Sequence, residues 1–321
     1  MSSVSLWLKQ AIESLRNHRN LGRDFARTRP VPLNVEELEG RIVPSLLGQQ
    51  LFPADYPTYN SIANAPVSAN STTWISAMAA TRNHLHVDWG AYTPGSGGPL
   101  YSMPYNVVHS KDTVNYTSVK VYIDNYPNES DLTGTDPNQG NRPYVLVPMP
   151  KANPQNLFIE GDSQNGADGT RFTSGGSDSH LIVWDADTNT AYEFWEASRP
   201  SESSAVPNGY YHQAPIANQW NAANEATWNM AADPFRTLGY TSGDAAGLPI
   251  LNNIARPDEV LTSAQGGQSA TPVLDHALRF TLPSGLISRQ YAFPASHVAA
   301  GSGGIPYGAR FRLKNDAATN A

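Results

Sequence analysis

Residues 180–197 read HLIVWDADTNTAYEFWEA. Two runs rich in β-branched and aromatic side chains flank a polar stretch of turn formers, the pattern of a β-hairpin. A turn over Asp185–Thr190 pairs Trp184 with Tyr192, Ile182 with Phe194 and His180 with Glu196, all on one face. Leu181, Val183, Glu193 and Trp195 then share the other. Asp178, two residues before His180, falls diagonal to Glu196, where cross-strand Cβ atoms lie roughly 7 Å apart.

That face has the ingredients of glycosidic-bond hydrolysis. The reaction needs one carboxyl as proton donor and a second as nucleophile or base, about 5 to 9.5 Å away. Asp178 and Glu196 are the expected catalytic pair, with His180 tuning or relaying. Trp184, Tyr192, Phe194 and Trp195 offer aromatic faces for sugar rings. Glu193 is the rival acid, because a carboxylate on an apolar face must be paired or have a raised pKa. Its structural alternative is an ion pair with Arg279 or Arg310. The same turn carries hard oxygens: Asp185, Asp187, Asn189, Glu193 and Glu196 follow calcium-loop spacing. Thr190 stands where an EF-hand needs Gly, and the flanks are strands, so a looser structural calcium at Asp185, Asp187 and Asn189 is the expectation. No other cofactor is called for.

Outward from the hairpin, short β-like runs alternate with Pro, Gly, Asn and Asp turns: VKVYIDN (119–125), YVLVPM (144–149), HALRFTL (276–282), YAFPA (291–295) and GARFRLK (308–314). WNAANEATWNMAA (220–232) reads as a short helix, as does PDEVLTSA (257–264), with Pro257 at its first position. The expected class is all-β, a β-sandwich or jelly roll with a few short helices, in one domain over residues 51–321. Composition agrees. Gly and Pro each occur 25 times and charged residues make up only 15% of the chain, which excludes a long coiled coil, a charge-driven disordered tail and a basic nucleic-acid reader. Cysteine is absent, so thiolate metal sites and disulfides are excluded. No apolar run approaches the ~18 residues of a membrane span.

Residues 1–50 stand apart as a basic leader and linker. Within residues 1–30, Lys9, Arg16, Arg19, Arg23, Arg27 and Arg29 oppose only Glu13 and Asp24, a balance of +4 against −7 for the whole chain. Leu8, Ala11, Ile12 and Leu15 form one helical stripe. The element Leu38, Glu39, Arg41 and Pro44 within PLNVEELEGRIVPS resembles the leader of many exported proteins of planctomycete bacteria. The resemblance implies an extracellular or periplasmic location. The body resembles a class of secreted bacterial β-rich proteins through SDSHLIVW (177–184), YEFW (192–195), GDAAGLPIL (243–251), HALRF (276–280) and GARFRL (308–313). That likeness implies a polysaccharide-related setting and leaves the reaction open.

Other candidates read more plainly. His84, His86 and Asp88 share a strand face and the donor types of a zinc site. His276 begins an apolar strand face and reads as a satisfied core histidine. Ser242 and Asp244 lack a nucleophile motif and read as a turn. The expected function is an exported glycoside hydrolase on a neutral polysaccharide such as a β-glucan. A non-catalytic glycan-binding module is the alternative. A polysaccharide lyase ranks below both, because an acidic body repels a polyanionic substrate.

Overall fold

The computed structural model describes residues 45–81, 103–153, 156–162, 178–200, 215–232, 235–265 and 274–313. The chain divides into Met1–Arg41, outside the described residues, and Ile42–Ala321, which everything below concerns. In chain order its elements are β1 (Ser45–Leu46), β2 (Gln49–Gln50), α1 (Ser71–Ala80), β3 (Tyr105–Val108), β4 (Tyr116–Ile123), β5 (Gly134–Asp136) and β6 (Arg142–Pro150). There follow β7 (Leu181–Asp185), β8 (Thr190–Trp195), β9 (Trp220–Ala222), β10 (Asn224–Asn229), α2 (Pro257–Val260), β11 (Ile287–Tyr291) and β12 (Ile305–Tyr307). The fold class is all-β, as the sequence predicts.

The hairpin forms, in a register one residue from the expected one. Leu181 faces Phe194, Ile182 faces Glu193, Val183 faces Tyr192 and Trp184 faces Ala191. The turn sets this offset. Asp185 pairs with Thr190, closing the loop over residues 186–189, with Asn189 in the left-handed region at φ 51°. The Asp185 carboxylate accepts the Asp187 N–H (3.2 Å) and the Thr188 hydroxyl (2.6 Å), which fixes the loop. A one-residue shift exchanges the two faces of a strand. Tyr192 and Phe194 therefore join Leu181 and Val183, while Glu193 joins Ile182, Trp184 and Ala191.

Both faces are buried. The four-stranded sheet β10-β8-β7-β3 contains the hairpin, and a second runs β5-β6-β4-β9. Leu181, Val183 and Phe194 lie in one apolar cluster with Val121 and Ile123 of β4, Val145, Val147 and Met149 of β6, and Trp220 of β9. The two sheets thus share a core. On the opposite face Ile182, Trp184, Ala191, Ala226 and Trp228 pack against Leu46, Leu51, Phe52, Tyr56, Ile250 and Leu251. Burial on two sides explains why β7 is a continuous apolar run and not an alternating one. Each sheet also holds a parallel pair, β3 with β7 and β4 with β9.

Glu193 lies on that second face, fully buried, and it fastens a loop. Its carboxylate accepts the Ile250 N–H (2.8 and 2.9 Å), the Leu251 N–H (2.7 Å) and the Trp228 indole N–H (3.0 Å). These amides open the 3₁₀ turn Leu251–Asn253. The partners are backbone and indole donors in place of the expected arginine. Next to it Gly243 has no room for a side chain, since a Cβ would meet Ile250 Cδ1 at 3.0 Å and Glu193 Cβ at 3.4 Å. Gly247, at φ +69°, is fixed more tightly still, its missing Cβ lying 2.0 Å from Ser296 Oγ.

Four expected elements differ, one of them YAFPA (291–295), of which only Tyr291 lies in a strand, as the last residue of β11. WNAANEATWNMAA is not a helix but β9 and β10, because Trp220 and Ala222 enter one core while Ala226 and Trp228 enter the other. Tertiary burial with period two overrides the helix preference of its alanines. HALRFTL and, over residues 308–313, GARFRLK run without a strand ladder. Their alternation reflects side-chain anchoring: Arg310 donates to the carbonyls of Pro57 (2.6 Å) and Asn60 (3.2 Å), Arg312 donates to those of Ile62 and Ala63, and Phe311 packs edge-on against Phe280. PDEVLTSA begins, as expected, with Pro257 at the first position of α2, and the Glu259 side chain accepts the Arg256 N–H.

Replacing Glu193 with Gln turns one acceptor atom into a donor facing buried donors. We expect a loss of about 1–3 kcal/mol, seen as a lower urea midpoint at unchanged slope. An unchanged midpoint would show that the Ile250–Leu251 amides do not depend on this carboxylate.

Candidate functional site

A cleft of about 530 Å³ opens at the end of the hairpin where β7 begins and β8 ends. Asp178, His180 and Trp195 come from the hairpin, Tyr126 and Glu129 from the turn after β4, and Thr241–Ala246 from the loop behind Glu193. The unladdered segment Ala277–Leu282, together with β12 and the residues after it up to Phe311, supplies much of the remaining wall.

Backbone hydrogen bonds set the order of the side chains. Beyond β7 and β8, Glu196 N–H donates to the Asp178 carbonyl (2.9 Å), and both Ser179 and Glu196 take positive φ. On the other side Ala223 N–H donates to the Trp195 carbonyl (3.0 Å), and Tyr126 N–H donates to the Ala223 carbonyl (2.8 Å). The rings of Tyr126 and Trp195 therefore meet, with centroids 6.2 Å apart and planes inclined at 39°. Pro127–Glu129 then forms a 3₁₀ turn that carries Glu129 to the rim. Glu129 accepts the Thr241 N–H at 3.1 Å, and its Oε2 lies 3.7 Å from His297 Nε2.

His180 is a strut of this cleft. Its Nδ1 lies 2.7 Å from Glu160 Oε2 and its Nε2 lies 2.9 Å from the Gly243 carbonyl. Both ring nitrogens thus face acceptors. Burial pushes the imidazole pKa down, but the hydrogen bond and charge of Glu160 outweigh it and the net direction is up. For Glu160, burial pushes up, and the hydrogen bond and charge of His180 bring the carboxyl below its ordinary value. The imidazolium–carboxylate pair ties Gly243 to the hairpin. Its neighbours complete the wall. Ser242 donates from its hydroxyl to the carbonyls of Asp244 (2.9 Å) and Leu248 (2.6 Å), the turn expected of it. Arg279 donates from Nε to Asp244 Oδ2 (2.9 Å) and approaches it with a terminal nitrogen at 2.7 Å.

The structure brings Asp178, His180 and Trp195 together at the cleft and leaves the other expected site residues elsewhere. Glu193 is fully buried behind it. Glu196 is buried and does not line it. Trp184 is buried, with its indole N–H on Asn189 Oδ1 (3.0 Å); Tyr192 and Phe194 belong to the core between the sheets. At the expected calcium turn the oxygens already meet protein donors: Asp185 accepts the Ser110 N–H (3.0 Å) and hydroxyl (2.6 Å), and Asp187 accepts the Lys111 N–H (2.7 Å). Among the described residues no three His, Asp or Glu side chains gather as one metal site. His276 is a buried side chain whose Nε2 lies 3.1 Å from Glu259 Oε1. His84, His86 and Asp88 lie outside the described residues, as does most of the loop over 160–179. Glu129 and Tyr126 line the cleft without being reached by the hairpin argument, which also misses Glu160, the partner of His180.

Several buried groups bind protons on folding. Burial pushes both Glu193 and Asp124 up to about 7, against opposing hydrogen bonds. Unfolded, such carboxyls titrate near 4. The native state therefore holds protons across this interval that the unfolded chain has lost, so stability falls as pH rises from about 4 to 7. His180, raised in the folded state, acts in the same direction above about 6.5. Thermal melts at pH 5 and pH 8 at constant ionic strength should give the higher midpoint at pH 5. A higher midpoint at pH 8 would contradict these assignments.

Neither a family model, nor a curated protein, nor a solved structure matches this chain.

Proposed function

We propose that the cleft binds a glycan through the Tyr126–Trp195 pair, in a protein that is exported. The observation that carries this reading is the ring pair itself, half-set into a cleft whose rim bears Asp178 and Glu129. Aromatic faces stack on the apolar faces of sugar rings while carboxylates accept hydroxyl hydrogen bonds. A neutral polysaccharide such as a β-glucan suits the charges. The cleft arginines are engaged, Arg279 with Asp244 and Arg310 with backbone carbonyls. A uronate-binding lyase site would call for such cations to face the substrate. Export rests on the leader element Leu38–Pro44.

Affinity electrophoresis in gels containing mixed-linkage β-glucan, xylan or mannan tests the binding. The wild type should be retarded by at least one of them. Trp195→Ala and Tyr126→Ala should each weaken retardation about tenfold, the ~1.4 kcal/mol scale of one aromatic contact. Equal mobility with and without every polysaccharide would remove the glycan reading.

A further inference from the structure

We infer that the cleft is hydrolytic, with Asp178 and Glu129 as its carboxyl pair on opposite sides of the bound sugar. The inference rests on the glycan-binding reading above and adds a reaction to it.

The path from Asp178 to Glu129 crosses the ring pair. Asp178 is bonded through its carbonyl to Glu196, the residue after Trp195; Trp195 is bonded through Ala223 to Tyr126; and Tyr126 leads into the 3₁₀ turn that ends at Glu129. Three strand-to-strand steps of roughly 4.8 Å separate the Asp178 and Tyr126 backbones by about 14 Å. Both residues nevertheless line the same cleft. On that backbone spacing the proposal takes the wider arrangement of about 6.5–9.5 Å, which leaves room for a water, over the ~5 Å of a nucleophilic pair. The two side chains also differ from the other cleft ions. Asp244, the other acidic side chain of the lining, is held by Arg279. Asp178 is exposed on the rim, and Glu129 is steadied by one backbone N–H, with His297 Nε2 3.7 Å away.

In the reaction, a water oxygen attacks the anomeric carbon as the bond from that carbon to the leaving oxygen breaks. The bonding pair goes to the leaving oxygen, which takes a proton from one carboxyl of the pair. The other carboxylate takes a proton from the attacking water. One water is consumed, one hemiacetal and one hydroxyl are formed, the base gives its proton to solvent, and solvent returns one to the acid. Attack from the face opposite the leaving group inverts the anomeric centre.

The test combines reducing-end release, binding and product stereochemistry on the polysaccharide panel above. Wild type should release reducing ends, with the first-formed anomer inverted by proton NMR. Asp178→Asn and Glu129→Gln should each lower kcat/KM by at least a hundredfold, a far larger loss than the weakening of gel retardation that follows from one altered hydroxyl hydrogen bond. Each variant should also remove one limb of the pH profile. Asp178→Asn alters an exposed side chain and serves as the variant least dependent on folding. Retardation without release overturns the hydrolytic inference and leaves the binding reading intact. Absence of both overturns both. Release that survives either variant, or a retained anomer, overturns the assignment of this pair.

Discussion

The carboxylate of Glu193, closed on the amides of Ile250 and Leu251, is the contact on which the rest of the site depends. A carboxylate buried without donors would be ruinous, and a loop crossing an apolar sheet face with unpaired amides would be nearly so. Each resolves the other. The loop is thereby held against the back of the hairpin, and Gly243, pressed against Glu193, presents its carbonyl to His180. The cleft wall follows from that alignment. The loop does not need a strand ladder because its ends are already fixed.

The same device recurs, which gives the low charge of the chain a structural meaning. Asp185 accepts the Ser110 N–H, Asp162 the Ile159 N–H (2.8 Å), and Glu225 the Asp131 N–H (3.2 Å). Asp131 in turn accepts the Thr227 N–H (2.9 Å) on the edge strand β10. In Asp162 the carboxylate also meets Arg199, a pair with both side chains fully buried. A protein built from short strands and long connections must satisfy many backbone donors off the ladder. Where the carboxyl is held ionised, as in Asp185 with its lowered pKa, its oxygens do this more strongly than neutral ones. Much of the small complement of acidic residues is therefore spent on architecture.

The legible part of the fold was the part governed by burial period. The hairpin, β4 and β6 read correctly because their side chains alternate or run apolar over their whole length. Register was not legible, since it turned on whether Asp185 or its neighbour closed the loop, a matter of one carboxylate and one left-handed Asn189. In WNAANEATWNMAA the small alanines carry no period of their own. Only the two cores waiting on either side reveal it as two strands. The site was half legible. Asp178, His180 and Trp195 are local to the hairpin and could be read from it. Glu129 and Tyr126 reach the cleft through Ala223, a contact between segments far apart in sequence, and YPNES carries only the signal of a turn ending a strand.

This division bears on which acidic residues are available for chemistry. Proximity to the hairpin made Glu193 and Glu196 attractive, yet proximity in a densely packed sheet more often means recruitment into the packing. Glu193 is saturated by three donor groups from protein. A general acid or base must exchange its proton with substrate or water, so a carboxyl enclosed by donors is poorly placed for the task. The useful carboxyls are those left over after the loops have been fastened. Asp178 escapes because the chain turns away at Ser179, in the left-handed region, just where the strand ends. Glu129 keeps one oxygen for Thr241 and stands at a turn, beyond the reach of the sheet. The irregular ends of the hairpin, and not its regular centre, are where this fold leaves charge facing a cleft.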